Sequence, residues 1–221
     1  MNWTRLIDAA KRRVLGRSGS QPFRSSADYW RQRYARGGNS GAGSYNHLAE
    51  FKAEVINDFV ASNGIADVIE LGCGDGHQLE LARYPRYTGY DVSPEAVELC
   101  RKRFKDDPGK TFFPLTQYDG RQADLALSLD VIFHLVEDEV FDDYMQRLFS
   151  AARRHVIVYS SNDQNIDDPA PHVRHRKFSD WIARERPEWE LLTRVPNRYP
   201  YNGDYRVTSF ADFYIYGRKT A

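Results

Sequence analysis

The hydrophobic pattern of this 221-residue chain begins with segments of helical spacing. Apolar residues recur every three or four positions over 2–15, 27–36 and 47–60, which predicts a helix in each segment. A Gly- and Ser-rich stretch follows the first segment, and a glycine-rich loop over 37–44 separates the other two. We therefore predict an N-terminal amphipathic helix and linker over residues 1–26, ahead of a main domain.

From residue 66 onward the pattern alternates between short apolar strands and helices, which is typical of a mainly parallel sheet. The main domain, over 27–221, thus combines this region with N-terminal helices and a loop over 27–64. The last two strands form a predicted closing pair, and Ser179 or Asp180 is expected to cap the last helix. The predicted strands are 68–71, 87–91, 111–115, 124–129, 155–160, 189–195 and 211–216. Between the first two strands we predict a helix that ends at Leu81, and the later helices span 94–104, 138–152 and 178–186.

A glycine-rich turn follows the first predicted strand. Residues 68–76 read VIELGCGDG, so the strand ends at an acid and three glycines at alternate positions turn the chain. Glycine permits positive φ and lets a ligand approach the backbone closely. Open α/β sheets bind nucleotides at the carboxyl ends of their strands. A dinucleotide site would need its third glycine at position 77, which is His, so the pattern disfavours NAD.

A second acid, Asp91, ends the second predicted strand. Its carboxylate can accept hydrogen bonds from both hydroxyls of a ribose. The glycine turn holds no Lys or Arg, which a phosphate ligand would favour. These features fit a ligand that has a ribose, an adenine and a cationic sulfonium but no phosphate.

Residues 68–76, with Asp91 and 128–134, resemble the class I family of methyltransferases, which use S-adenosylmethionine. The resemblance extends over about residues 29–216. It implies an α/β fold with a doubly wound, mostly parallel seven-stranded sheet, helices on both faces, and residues 1–26 as an N-terminal helical extension.

The resemblance also implies a set of cofactor-binding residues. The glycine turn would line the methionine end of the cofactor, Asp91 would hold the ribose and Val92 would pack against adenine. Asp119 is a candidate for the adenine amino group, with an ordinary Asp-Gly turn as the alternative. The loop over 37–44 would fold over the cofactor as a lid, or be a plain surface loop. The predicted cofactor-binding residues are Glu70, Gly72, Cys73, Gly74, Gly76, Asp91, Val92, Asp119, Leu129 and Arg33.

Asp130 and His134 follow the fourth predicted strand, a segment that in the family lies beside the acceptor. Methyl transfer requires mainly alignment of donor and acceptor. An alcohol acceptor also needs a base, for which histidine is suited. Alternatively, His134 caps the following helix or forms a hydrogen bond inside the core.

Residues 172–177 read HVRHRK and follow the fifth strand. These groups can hold a carboxylate or phosphate of the acceptor, and His172 or His175 can be the catalytic base. A solvated basic loop is the alternative.

Magnesium is the other cofactor considered, because some sugar- and catechol-directed relatives use it. Asp130, Asn162 and Asp163 can supply oxygen ligands. No ligand spacing supports such a site, so no metal is predicted.

The composition limits the classes of binding partner and the cellular compartment that we expect. The 31 basic and 31 acidic residues cancel, which argues against a dedicated nucleic-acid binder. Two cysteines, neither in a disulfide or zinc pattern, indicate a reducing cytoplasm. No apolar run is long enough to span a membrane. The basic N-terminal helix would dock on its own domain or a partner subunit, or bind a membrane surface.

The sequence therefore favours O-methylation of a sugar, glycan or other small polar or acidic acceptor. This preference rests on YWRQRY, GGNSGAGS and TSFADFYIY, which resemble segments of small bacterial methyltransferases. One alternative is an RNA or protein methyltransferase that recruits its substrate through the N-terminal helix. The other is a non-catalytic cofactor-binding subunit. The acceptor and the oligomeric state stay open.

Overall fold

The computed structural model describes residues 23–168 and 170–219. The helix predicted over 2–15 and most of its linker lie outside the described residues. The helices are α1 (Ser26–Ala35), α2 (Asn46–Ser62), α3 (Pro94–Arg103), α4 (Asp138–Ser150) and α5 (Phe178–Glu185). The strands are β1 (Val68–Leu71), β2 (Tyr87–Asp91), β3 (Lys110–Pro114), β4 (Ala123–Leu129), β5 (Ala152–Ser160), β6 (Trp189–Val195) and β7 (Asp212–Arg218).

The seven strands form one sheet in the order β3-β2-β1-β4-β5-β7-β6. Strands β1 to β5 are parallel, whereas β7 pairs antiparallel with both β5 and β6. The strand order reverses between β1 and β4, and ligand crevices of open α/β sheets form at the carboxyl ends of strands that flank such a point. The predicted doubly wound, mostly parallel sheet with a closing strand pair is confirmed.

Both faces of the sheet are covered by helices. Side chains of successive strand residues point to opposite faces, so β1 contributes to two cores. Ile69 and Leu71 pack in the core beneath α4 and α5, and Val68 packs in the core beneath α2 and α3. None of the described helices is both long and apolar enough to cross a membrane.

The prediction of a helix that ends at Leu81 is wrong, because only a short 3₁₀ turn forms over Gln78–Leu81. Gly72, Gly74 and Gly76 all have positive φ, so the chain cannot enter a right-handed helix before His77.

One helix boundary and one helix cap also differ from the sequence prediction. Helix α1 begins at Ser26, inside the predicted linker, because the Ser25 hydroxyl accepts a hydrogen bond from the Asp28 N–H. Neither Ser179 nor Asp180 caps α5, whose N-cap position is Lys177. Ser179 instead uses its hydroxyl to accept a hydrogen bond from the Asn162 amide, at 2.9 Å.

Candidate active site

A cavity of about 160 Å³ lies at the carboxyl ends of β1, β2 and β4. The sheet topology places these three strand ends side by side, at the reversal of strand order. Helix α1 and the loop after it contribute further walls. The sequence-predicted site residues that line the cavity are Glu70, Gly72, Cys73, Gly74, Asp91, Val92, Leu129, Asp130 and His134.

The glycine turn and Asp91 hold each other in place. The Gly74 N–H donates to Asp91 Oδ2 at 2.9 Å, and the Ser93 N–H donates to Oδ1, also at 2.9 Å. Gly72 has a φ of 93°, and a Cβ at this position would lie 2.5 Å from a methyl carbon of Val131. A side chain at Gly72 would therefore disturb the floor of the cavity.

Two buried carboxyl groups in the cavity, those of Glu70 and Asp91, have raised pKa values. Burial raises the pKa of Glu70 to about 7 and that of Asp91 to about 6. The Tyr87 hydroxyl donates to Glu70 Oε2 at 2.6 Å and offsets only part of this effect. A buried carboxylate with little compensation favours a cationic ligand nearby.

The raised pKa values predict a pH-dependent affinity for the cationic cofactor. A nearby positive charge favours the ionised carboxylates, so binding should release protons while Glu70 and Asp91 are partly protonated. We expect the affinity for S-adenosylmethionine to rise between about pH 6 and pH 7 and to level off above that range.

Calorimetry in buffers of different ionisation enthalpy measures this proton release. S-adenosylhomocysteine, which lacks the sulfonium charge, serves as the control and should show a shallower dependence. Glu70→Gln should flatten the upper part of the curve. Equal pH dependence for the two ligands would contradict the electrostatic account.

The glycine-rich loop over 37–44 packs directly on the glycine turn. The Ser40 N–H donates to Asp75 Oδ2 and the Asp75 N–H donates to Ser40 Oγ, both at 3.0 Å. The Tyr45 hydroxyl also donates to Asp75 Oδ2, at 2.8 Å, and the Tyr34 hydroxyl lies 2.9 Å from Ser40 Oγ. Burial alone would raise the pKa of Asp75, but these N–H and O–H donors and the His77 N–H lower it. An ionised Asp75 therefore fastens the loop.

Sequence reasoning missed Lys52, which lines the cavity beside Asp130. Its Nζ donates to Asp130 Oδ2 at 2.7 Å, and its side chain is only 1 % exposed. Asp130 itself has a φ of 58°, a left-handed conformation that is uncommon for a residue other than glycine. A signal was present in the sequence, because Lys52 lies four residues from both Leu48 and Ile56 on the apolar face of α2.

His134, in the short turn after β4, lines the cavity and has one unprotonated ring nitrogen. Its Nδ1 lies 3.1 Å from the His172 carbonyl oxygen. Because a carbonyl can only accept, Nδ1 carries the proton and Nε2 carries the lone pair. Burial lowers the pKa of His134 to about 4, so the ring is neutral near pH 7. The Trp30 ring packs edge-on against it, with centroids 4.9 Å apart.

Three predicted cofactor-binding residues do not line this cavity. Arg33 donates to the backbone and side chain of Asn39, so it holds the loop. Asp119 accepts a hydrogen bond from the Arg121 N–H, which is the ordinary turn given as its alternative. Gly76 packs against α3, where a Cβ would lie 3.0 Å from the Cys100 sulfur.

The basic segment over 172–177 does not line the cavity either. Arg174 and Arg176 donate to backbone carbonyls of residues 135 and 136 and pair with Asp138. His172 contributes its carbonyl to His134. His175 faces a separate open groove of about 900 Å³, and its Nδ1 bonds the Ser161 hydroxyl at 2.6 Å. The segment therefore braces the turn that carries His134.

The three residues considered for magnesium have separate partners. Asp130 pairs with Lys52, the Asn162 amide bonds Ser179, and Asp163 accepts from Asn165. Over residues 23–168 and 170–219, no group of three or more His, Cys, Asp or Glu side chains is arranged to hold a metal ion.

Comparison with known protein families gives a match for part of the chain. A family model described as a methyltransferase domain matches residues 69–156, from β1 to β5, a range that includes the glycine turn, Asp91 and His134. Residues 69–156 therefore match a methyltransferase domain, and the chain has the fold of the solved methyltransferases described below. We expect S-adenosylmethionine to be its methyl donor, as the glycine turn and Asp91 indicate. A search of curated protein sequences gave no match to this chain.

Several solved structures share the fold of this chain at low sequence identity. The N-methyltransferase NodS from Bradyrhizobium japonicum WM9, in complex with S-adenosylhomocysteine, is 16 % identical, with a TM-score of 0.68 over 89 % of this chain and 100 % of that one. Magnesium protoporphyrin IX methyltransferase from Synechocystis PCC 6803, with bound S-adenosylhomocysteine, is 18 % identical, with a TM-score of 0.62 over 87 % and 98 %. The methyltransferase domain of bacterial CtHen1-C is also 18 % identical, with a TM-score of 0.59 over 76 % and 97 %.

The residues of the cavity suit this cofactor. The Asp91 carboxylate ends β2, where it can accept from ribose hydroxyls, and the buried acids suit a sulfonium. The Oε1 atom of Gln78, another lining residue, is buried and has no hydrogen-bond partner among the described residues. The cavity thus holds one buried acceptor that the described residues do not use.

Proposed function

We propose that this chain is a methyltransferase that transfers a methyl group to a hydroxyl of a small polar acceptor, a sugar or glycan in the first instance. The observation that supports the proposal is the geometry of His134, a neutral imidazole whose Nε2 carries a lone pair beside the cofactor cavity. An amine or thiol acceptor can lose its proton to solvent, whereas a hydroxyl needs a base in place.

The proposed mechanism assigns one task to each group. The bound cofactor supplies a methyl group activated by its positively charged sulfur. Asp91 holds the ribose, and Glu70 stabilises the positive charge. His134 Nε2 would accept the hydroxyl proton as the acceptor oxygen takes the methyl group, and S-adenosylhomocysteine would be the leaving group. The weak basicity of His134 suffices, because the oxygen becomes strongly acidic as it acquires the methyl group.

Trp30 and the fastened loop are proposed to exclude water from the reacting groups. Trp30 lines the cavity and packs on His134, and Ser40 and Ser44 of the loop segment line the same cavity. Exclusion of water strengthens the electrostatic interactions within a site and prevents side reactions. We place the enzyme in a reducing cytoplasm, because Cys73 and Cys100 are both free and buried.

Transfer of a labelled methyl group to defined acceptors tests the proposal. The purified full chain is incubated with labelled S-adenosylmethionine and, separately, with sugars and glycans, with RNA and with protein. We expect label in the sugar or glycan fraction, bound as an ether that resists mild alkali. Label confined to RNA or protein would overturn the proposal in favour of the macromolecular alternative, and no S-adenosylhomocysteine with any acceptor would favour a non-catalytic subunit.

A variant that lacks residues 1–22 separates the small-acceptor and macromolecular alternatives. This deletion retains Ser25, which caps α1. Under our proposal the shortened chain keeps its turnover with the small acceptor. Loss of RNA or protein methylation with unchanged cofactor affinity would instead support recruitment through the N-terminal segment.

A further inference from the structure

Lys52 holds hydrogen-bond donors that the protein leaves unused. Its side chain is 1 % exposed, and Asp130 Oδ2 is its one hydrogen-bond partner among the described residues. A lysine ammonium has three N–H donors, so two lack an acceptor. The ring of Tyr159, whose centroid lies 5.3 Å from Nζ, covers part of the ammonium. Buried unused donors are costly, and Lys52 lines the cavity, so we expect a ligand atom to accept from them.

Gln78 holds an unused acceptor in the same cavity. Its Nε2 donates to the Ala49 carbonyl oxygen at 3.0 Å, which fixes the orientation of the amide. The Oε1 atom is buried and has no partner among the described residues. Ala49 and Lys52 lie three positions apart on α2 and therefore share a helix face. Lys52 and Gln78 both line the cavity, and Gln78 is bonded to the same helix that carries Lys52.

We propose that Lys52 and Gln78 form the subsite for the amino-acid end of S-adenosylmethionine. Lys52 Nζ donates to the carboxylate of the cofactor, and Gln78 Oε1 accepts from its ammonium group. The pair complements a zwitterion, which needs one cationic donor and one acceptor. The inference rests on the cofactor and is independent of the acceptor proposed above.

The charges around the cavity support Lys52 as the partner of the carboxylate. Lys52 and Arg147 are the Lys and Arg side chains among the described residues that line the cavity. Arg147 lies on α4, which packs on the other face of the sheet from α2, and it pairs with Asp143 at 2.8 Å. Arg33 of α1, which the sequence suggests as a cofactor-binding residue, is bonded to Asn39 instead.

Asp130 acts in this subsite as a positioning residue. It accepts from Lys52 Nζ and so directs the two remaining N–H groups of the ammonium. Its backbone N–H donates to the Tyr159 carbonyl at 2.9 Å, which holds its left-handed conformation. The predicted catalytic contribution of Asp130 is then exerted through Lys52.

Three ligands that differ only at the amino-acid end test the subsite by calorimetry. S-adenosylmethionine has both charged groups, decarboxylated S-adenosylmethionine lacks the carboxylate, and 5′-methylthioadenosine lacks both. We expect Lys52→Met to weaken S-adenosylmethionine binding at least about 10-fold and to change the other two Kd values less than about twofold. Gln78→Leu should weaken both ligands that carry the ammonium and spare 5′-methylthioadenosine.

Two further variants keep the test decisive. Lys52→Met leaves Asp130 unpaired, so the double variant with Asp130→Asn removes that charge, and it should show the same ligand selectivity. Lys102→Met, on the exposed side of α3, is the matched control and should bind all three ligands as the parent does. Equal weakening of all three ligands would overturn the proposal and indicate a purely structural role for Lys52. Unchanged binding of all three would overturn it as well.

Discussion

Replacement of Asp91 with alanine is expected to weaken the binding of both S-adenosylmethionine and S-adenosylhomocysteine by about 100-fold. Each hydrogen bond to a charged group contributes about 1.5–3 kcal/mol, and the carboxylate can accept two from the ribose. The variant also removes the acceptor of the Gly74 N–H, which orders the glycine turn. Isothermal calorimetry measures the two dissociation constants directly.

Asp119→Ala is the matched control for this variant. Asp119 lies outside the cavity and uses its carboxylate in a local turn with Arg121, so its removal should leave cofactor affinity unchanged. A thermal melt of each variant without ligand verifies that the fold is retained. Parent-like affinity in a folded Asp91→Ala variant would remove Asp91 from the site.

Replacement of His134 with alanine is expected to lower kcat by about 100- to 10,000-fold, the usual range for loss of a general base. The affinity for S-adenosylhomocysteine should stay within about twofold, because the proposed contact of His134 is with the acceptor. Single-turnover methyl transfer and calorimetry separate the two effects. A variant with parent turnover would exclude His134 as the base.

His172→Ala tests how His134 is held. His172 bonds His134 through its backbone carbonyl, which survives the substitution, although the ring that stacks on Tyr29 is lost. We therefore expect a smaller loss of kcat than for His134→Ala. Because the lowered pKa of His134 is about 4, its contribution to kcat/KM should be constant from pH 6 to 8 and decline only as the pH falls through about 4.

Much of the fold could be predicted because it depends on local patterns. β2 and the closing pair β6–β7 show as runs of apolar and aromatic residues, and their pairing follows from strand direction and connection length. Asp91 and the glycine turn could be predicted to meet because parallel strand ends share one edge of the sheet. The structure brings them into direct contact, through the hydrogen bond from the Gly74 N–H to Asp91.

Other parts of the site could not be predicted, because they depend on which way a side chain points. In the sequence, Arg33 and the basic segment over 172–177 look like ligand-binding groups. In the structure, the arginine side chains donate to backbone carbonyls of nearby residues instead. For Lys52 and Gln78 the reverse holds: they line the cavity, although nothing in the sequence marks them as ligand groups. They lie in a helix and a turn with no motif, and only the packing of α2 on the glycine turn brings them to the cavity.

The attachment of Ser40, Tyr34 and Tyr45 around Asp75 has a kinetic consequence. In the proposed site, S-adenosylhomocysteine would lie behind this segment, which is anchored on the glycine turn. Release of the product would then require the hydrogen bonds to Asp75 to break in every cycle. At saturating acceptor, we expect the dwell time of S-adenosylhomocysteine, rather than the transfer of the methyl group, to limit throughput. Gly37 and Gly41, both at positive φ, are the natural pivots for that movement.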